Sequence, residues 1–194
     1  GYDNVAVGDS ALYSNTAGDS NTAVGLNSLY NNTTGNNNTA LGKYSLRNNT
    51  TGGDNTAVGK NALQENTTGD YNTAIGYTAL LENTTGTGNT AIGSEAMNRN
   101  TTGSYNTALG INAMFNNTTG GDNVAIGNTA LYENTVTTNN TAIGVQAARE
   151  IVGTGGWNTA IGKSALSGAV GATAYHNVAI GAESMAQVTT AAEN

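Results

Sequence analysis

The chain has 194 residues, a formal net charge of −7, 10% charged residues, one Trp, one Phe and no Cys, and much of its 37% hydrophobic content is Ala. Such a composition cannot build a bulky globular core, and without a basic cluster neither nucleic acid nor an anionic membrane is an expected partner. The absence of Cys excludes disulfides and thiolate metal sites but leaves the compartment open. Abundant Asn, Thr and Gly would suit disorder, yet disordered chains lack a strict hydrophobic period, and this one has it.

Taken from the N-terminus, the period is set by an Asn that precedes a Thr/Val-Ala-aliphatic-Gly run. It recurs at Asn4, Asn21, Asn38, Asn55, Asn72, Asn89, Asn106, Asn123 and Asn140, always 17 residues apart, and then at Asn158 and Asn177 after intervals of 18 and 19. Residues 1–194 therefore read as one repeat domain of about eleven 17-residue coils, beginning in mid-repeat at Gly1 and expected to be part of a longer polypeptide. Within each unit the residue two after the anchor is always Ala (Ala6 through Ala74, Ala91 and Ala108 to Ala179). The next is Val, Leu or Ile (Ile75 in the fifth copy) and the next is Gly (Gly76). Three residues on comes Ala or Ser, followed by Leu or Met (Leu80) in every copy but that of Ala148.

Seventeen residues are too few for a helix–turn–helix unit, which needs about twice that length. The unit is expected to hold a β-run (N-T-A-I-G), a second short run around A-L, and a loop (N-T-T-G). The dipeptide Asn-Gly never occurs, which removes the strongest two-residue hairpin signal and favours parallel strands stacked coil on coil. The expected fold is an all-β parallel β-roll or β-solenoid. Identical residues then lie about 4.8 Å apart, so Asn15, Asn32, Asn49, Asn66, Asn83, Asn100, Asn117 and Asn134 are expected to form a ladder of side-chain amides. The Gly closing each turn (Gly35, Gly52, Gly69, Gly86, Gly103, Gly120) is expected to supply a positive φ or a close backbone approach.

Successive strand residues face opposite ways, so Thr and the aliphatic residue share one face while Ala and the anchor Asn take the other. In a lone solenoid the outward face varies in polarity; here the face read as outward holds Ala in every copy. Periodicity leaves open which face lines the coil and which meets a neighbouring chain. One aliphatic residue and one Leu per coil bury little apolar surface against the entropy of ordering a whole unit, so association is expected. The residues expected to carry folding and assembly are Ala74, Ile75, Gly76, Leu80, Ala91, Ala108, Asn66 and Asn83.

The runs NVAVG, NTAVG, NTALG and NTAIG, each followed at three residues by Ala or Ser, resemble the Hep/Hag repeats of YadA-like trimeric autotransporter adhesin heads, and similar repeats occur in bacteriophage tail-fibre proteins. The resemblance covers essentially the whole chain. It implies a left-handed roll, a homotrimeric fibre, an extracellular place on a cell surface or virion, and attachment to a host-surface protein or glycan without membrane insertion by this segment. The period here is a few residues longer than the family's, Thr mostly replaces Val, and the extra length sits in the N-T-T-G loop, so loop-borne ligand binding does not carry over. Adhesin and tail fibre both remain open.

No catalytic constellation is present, and no cofactor is expected. His176 is the only histidine, and it has no Cys, second His or Ser-His-Asp partner set to act with. The phrase Gly53-Asp54-Asn55, repeated at Gly121-Asp122-Asn123, is of the kind found in calcium-binding β-rolls. Its column runs Asp3, Ser20, Asn37, Asp54, Tyr71, Gly88, Tyr105, Asp122, Asn139, which puts neighbouring Asp residues on the order of 14 Å apart, too far to share a cation. No metal site is expected. The Asn-Thr sequons are what an Asn-Thr ladder looks like to a pattern search. Regular Thr columns also suit an ice-binding solenoid, against which Val5, Val124 and Val178 replace Thr. Candidate ligand contacts are the aromatics of the variable columns. Trp157, Tyr175 and His176 lie where the repeat loosens, beside Ala148, Ile151 and the glycines 153, 155 and 156, and Tyr13 and Tyr132 share another column.

Overall fold

The Thr/Val-Ala-aliphatic tripeptides, β-branched at one or both ends, form the only strands among the described residues of the computed structural model, which are 1–151, 155–168 and 175–186. There are eleven: β1 (Val5–Val7), β2 (Thr22–Val24), β3 (Thr39–Leu41), β4 (Thr56–Val58), β5 (Thr73–Ile75), β6 (Thr90–Ile92), β7 (Thr107–Leu109), β8 (Val124–Ile126), β9 (Thr141–Ile143), β10 (Thr159–Ile161) and β11 (Val178–Ile180). They pair in parallel in sequence order as one sheet, with Ala always opposite Ala, as in Ala74↔Ala91 and Ala91↔Ala108. The protein is a parallel β-solenoid.

The second run, around A-L, is a turn and not a strand. In the fifth coil Thr78 (φ 50°) and Leu80 (φ 53°) are both left-handed, and the same two columns are left-handed from Ser10 and Leu12 to Glu183 and Met185. Ala79 and Leu80 are adjacent and both fully buried, which the alternation of a strand forbids. The left-handed residues fold the chain tightly enough to turn both inward. Such a φ costs a branched residue about 1–3 kcal/mol, offset here by the burial of the Leu and by a bond to the next coil, Leu80 N–H to Ala96 O at 2.9 Å. Bonds of this kind continue round the perimeter, for example Glu82 N–H to Asn98 O at 2.9 Å and Thr84 N–H to Thr101 O at 2.9 Å.

The reading of the Ala column as the outward face is overturned. Ala23, Ala40, Ala57, Ala74, Ala91, Ala108, Ala125, Ala142 and Ala160 are fully buried. The coil is narrow, and its interior is already occupied by one Leu or Met, the second Ala or Ser and two Asn columns per turn, so the strand can contribute only a methyl group. Thr and the aliphatic residue consequently face outward.

Both Asn columns lie in that interior. The turn ladder forms as expected: each side-chain Nδ2 donates to Oδ1 of the Asn one coil earlier at 2.7–3.0 Å, from Asn32 on Asn15 to Asn134 on Asn117. The anchor column forms a second ladder, in which Asn72 N–H donates to Asn55 Oδ1 at 2.9 Å. The two converge, since Gly86 O accepts from Asn72 Nδ2 at 2.8 Å and from Asn83 Nδ2 at 3.0 Å. Of the two roles open to this Gly, close approach is the one it fills: a Cβ on Gly86 would overlap Asn83 Oδ1 and Gly103 O. Positive φ belongs to the strand-end glycines, with Gly76 at 141°.

Candidate functional site

With the Asn, Ala and Leu columns inside, the chain presents three outward surfaces. The first is the sheet itself. Its aliphatic row is exposed at Val7, Leu41, Ile75, Leu109, Ile143, Ile161 and Ile180 and half-buried at Val24, Val58, Ile92 and Ile126, one residue per coil for the length of the sheet. Beside it stands the half-buried Thr row, from Thr22 to Thr159 with Val124 among them. Beyond the strand-end Gly, a mixed column adds exposed Tyr77, Ile111 and Val145.

The second surface is the column of Tyr13 and Tyr132, which are seven coils apart and belong to separate stacks. The ring of Tyr13 stacks on Tyr30 with centroids 5.2 Å apart, and the Arg47 guanidinium lies 5.7 Å from the Tyr30 ring and 5.6 Å from that of Tyr44. Phe115 stacks on Tyr132 at 5.4 Å, with Arg99 at 5.2 Å from Phe115 and Arg149 at 5.7 Å from Tyr132. The stacking partners Tyr30 and Phe115, with Arg47 and Arg149, share the column of Tyr13 and Tyr132 at 17-residue intervals, which becomes vertical contact when coils stack in register; Arg99 joins them from the adjacent column.

The third surface brings Trp157, Tyr175 and His176 together. Their ring centroids lie 5.7 Å (Trp157–His176), 6.5 Å (Trp157–Tyr175) and 6.2 Å (Tyr175–His176) apart. Trp157 is 53% exposed, His176 is exposed and Tyr175 is half-buried. The backbone that carries them is stitched to its neighbours by Trp157 N–H to Thr138 O at 3.1 Å and His176 N–H to Gly156 O at 3.2 Å. Of the nearby departures from the repeat, Ile151 is fully buried in the place of a ladder Asn, Ala148 is buried in the place of Leu, and glycine 153 lies outside the described residues.

Thr137 is a departure the sequence reading did not single out. It occupies the column of the turn-closing Gly, and its hydroxyl donates to Asn134 Oδ1 while accepting from Asn140 Nδ2 at 2.9 Å. Its backbone still serves as the glycine's does, with Asn123 Nδ2 donating to Thr137 O at 2.9 Å.

Among the described residues no three His, Asp or Glu side chains gather as a metal site, and no helix is long and apolar enough to cross a membrane. No family model, curated protein or solved structure matches the chain.

Proposed function

We propose that this chain is a non-enzymatic extracellular fibre segment, three copies of which associate along their sheets into a shaft or head that attaches a cell or virion to a surface. The observation that carries the reading is the aliphatic row of the sheet. A solenoid working alone would vary this row between polar and apolar, whereas here every coil places Val, Leu or Ile outward. Rows of this length and uniformity mark association surfaces, and the likeness of the repeat to Hep/Hag adhesin heads and tail fibres supports three as the number. Sedimentation equilibrium of the chain should give three times the 19.5 kDa chain mass, and Ile75→Lys with Leu109→Lys should dissociate it. A folded monomer at micromolar concentration would overturn the proposal.

A second reading rests on the same face. The outward Thr row, spaced at about 4.8 Å beside an aliphatic row, is a regular array of the kind that orders water in ice-binding solenoids. Thermal hysteresis in a stable monomer, lost on Thr90→Tyr, would favour it over the fibre.

A further inference from the structure

We propose that Trp157, Tyr175 and His176 form a stacking ledge for the ring of a neutral sugar, which would make this part of the fibre its glycan contact. The inference rests on the attachment reading above and names the ligand class.

The first support is the backbone. Trp157 (φ 55°) and His176 (φ 54°) occupy a column that is left-handed in every coil. Asn, Asp and Gly adopt that conformation most readily, whereas a bulky aromatic residue is strained there. Seven of the nine preceding coils place Gly or a small, amide or acidic residue in this column, among them Ser20, Asn37, Asp122 and Asn139, and the other two place single tyrosines, Tyr71 and Tyr105, without an aromatic neighbour in the column on the adjacent coils. Trp157 accepts this strain beside His176, a residue type that takes left-handed φ more readily, and strained residues of this kind cluster at binding sites.

The second support is geometry. The Trp157 ring is inclined by 25° to His176 and by 27° to Tyr175, and those two are tilted by 37° to each other, so the rings form a loose cluster rather than an edge-to-face core, and it leaves Trp157 53% exposed to a ligand. Gly156 stands one coil before Tyr175 and pairs with it as a bridge. A Cβ on Gly156 would overlap Thr138 O, so the glycine allows the close backbone approach that carries Trp157 beside Tyr175.

The third support is charge. Neither this column nor the one before it, which runs from Tyr2 through Asp19 and Asp70 to Tyr175, contains a Lys or Arg. A phosphate-bearing or nucleic-acid ligand would need such a partner. A sugar ring does not: its C–H face meets the negative π-face of an aromatic ring, while the Tyr hydroxyl and imidazole nitrogens at the ledge donate to or accept from its hydroxyls.

Trp157 is the only tryptophan, so its fluorescence reports on the ledge alone. The intact chain is titrated with chitotriose, lactose, maltotriose and cellotetraose. At least one should shift or quench the emission saturably at millimolar concentration or below, with Tyr175→Ala weakening binding at least fivefold. Trp157→Asn, which installs the residue found at Asn37 and Asn139, should abolish binding by calorimetry while leaving the melting temperature unchanged or raised. Sedimentation of the same samples separates this result from the assembly question, since a trimer without sugar binding defeats only the ledge. Flat titrations with all four sugars, or full binding by the Trp157→Asn variant, would overturn the proposal.

Discussion

The coils from Asn21 to Asn123 and those from Thr137 to His176 share one half of their structure and differ in the other. Strand, inner Ala and strand-end Gly continue unchanged to β11. The turn half changes instead: Thr137 fills the place of Gly, Ile151 that of the ladder Asn, and Trp157 and His176 put aromatic rings on consecutive coils of a column that otherwise holds small or polar residues and two separated tyrosines, Tyr71 and Tyr105. The sheet side is tied to the coils above and below by strand register, so it cannot drift locally. The turn side is held by looser bonds between successive coils, and departures there are absorbed within one or two coils.

The sharpest way to break this division is to put a charge on the shared half. Ala108→Asp places a carboxylate in a fully buried column between Ala91 and Ala125, with an expected loss of about 3–5 kcal/mol. Tyr105→Ser, three residues away on the turn half and 66% exposed, should stay within about 0.5 kcal/mol. Chemical denaturation of both variants checks the contrast, and equal losses would dissolve it.

A smaller contrast sits within the turn half itself. Asn83 donates to Asn66 Oδ1 at 2.9 Å and accepts from Asn100 Nδ2 at 2.8 Å. Asn83→Ala strips a partner from both and should cost about 2–3 kcal/mol. Asn134 donates to Asn117 at 3.0 Å, and its Oδ1 is met by Thr137, with Ile151 in the next ladder place. Asn134→Ala breaks one ladder bond and strips the buried Thr137 hydroxyl of its acceptor, so it should cost about as much, with the ladder part of the loss confined to the Asn117 side. Hydrogen exchange of the amides in coils Asn72 and Asn123 would read each loss locally.

Much of the fold was legible because a repeat is its own comparison. The fixed interval gave the parallel register, and the invariant turn Asn gave the ladder. The A-L turn was not legible, since Leu is a residue that sterics exclude from left-handed φ; only the stacked coils on either side hold Leu80 there. The orientation of the strand was misread for a related reason. A column of Ala satisfies a narrow interior as well as a close interface, and the width of the coil depends on that same hidden turn. Trp157, Tyr175 and His176 were legible as a group because their separation matches one lengthened repeat. The stacks at Tyr30 and Phe115 followed from the same interval, while Arg99 entered from the adjacent column, which vertical reading of one column cannot find.

The smallest expected effect tests whether outer columns contribute to stability at all. Tyr13 is 70% exposed and stacks on Tyr30, which is half-buried and flanked by Arg47. A ring pair of this geometry couples by about 0.5–1.5 kcal/mol, and an exposed cation over a ring adds about 0.5–1 kcal/mol. A double-mutant cycle of Tyr13→Ala and Tyr30→Ala should therefore return a coupling near the lower end of the first range, because solvent reaches Tyr13 from one side. The cycle of Phe115→Ala and Tyr132→Ala should return more, since both rings are half-buried and Arg99 and Arg149 close the stack at its two ends. If both cycles give zero, the turn surface is energetically silent and its aromatics are free to serve a ligand. Couplings of the expected size mean that two of its aromatic groups act as vertical clamps. In that case Trp157 and His176, the stacked rings that combine left-handed φ with exposure, are set apart from Tyr13 and Tyr132 as the contact residues.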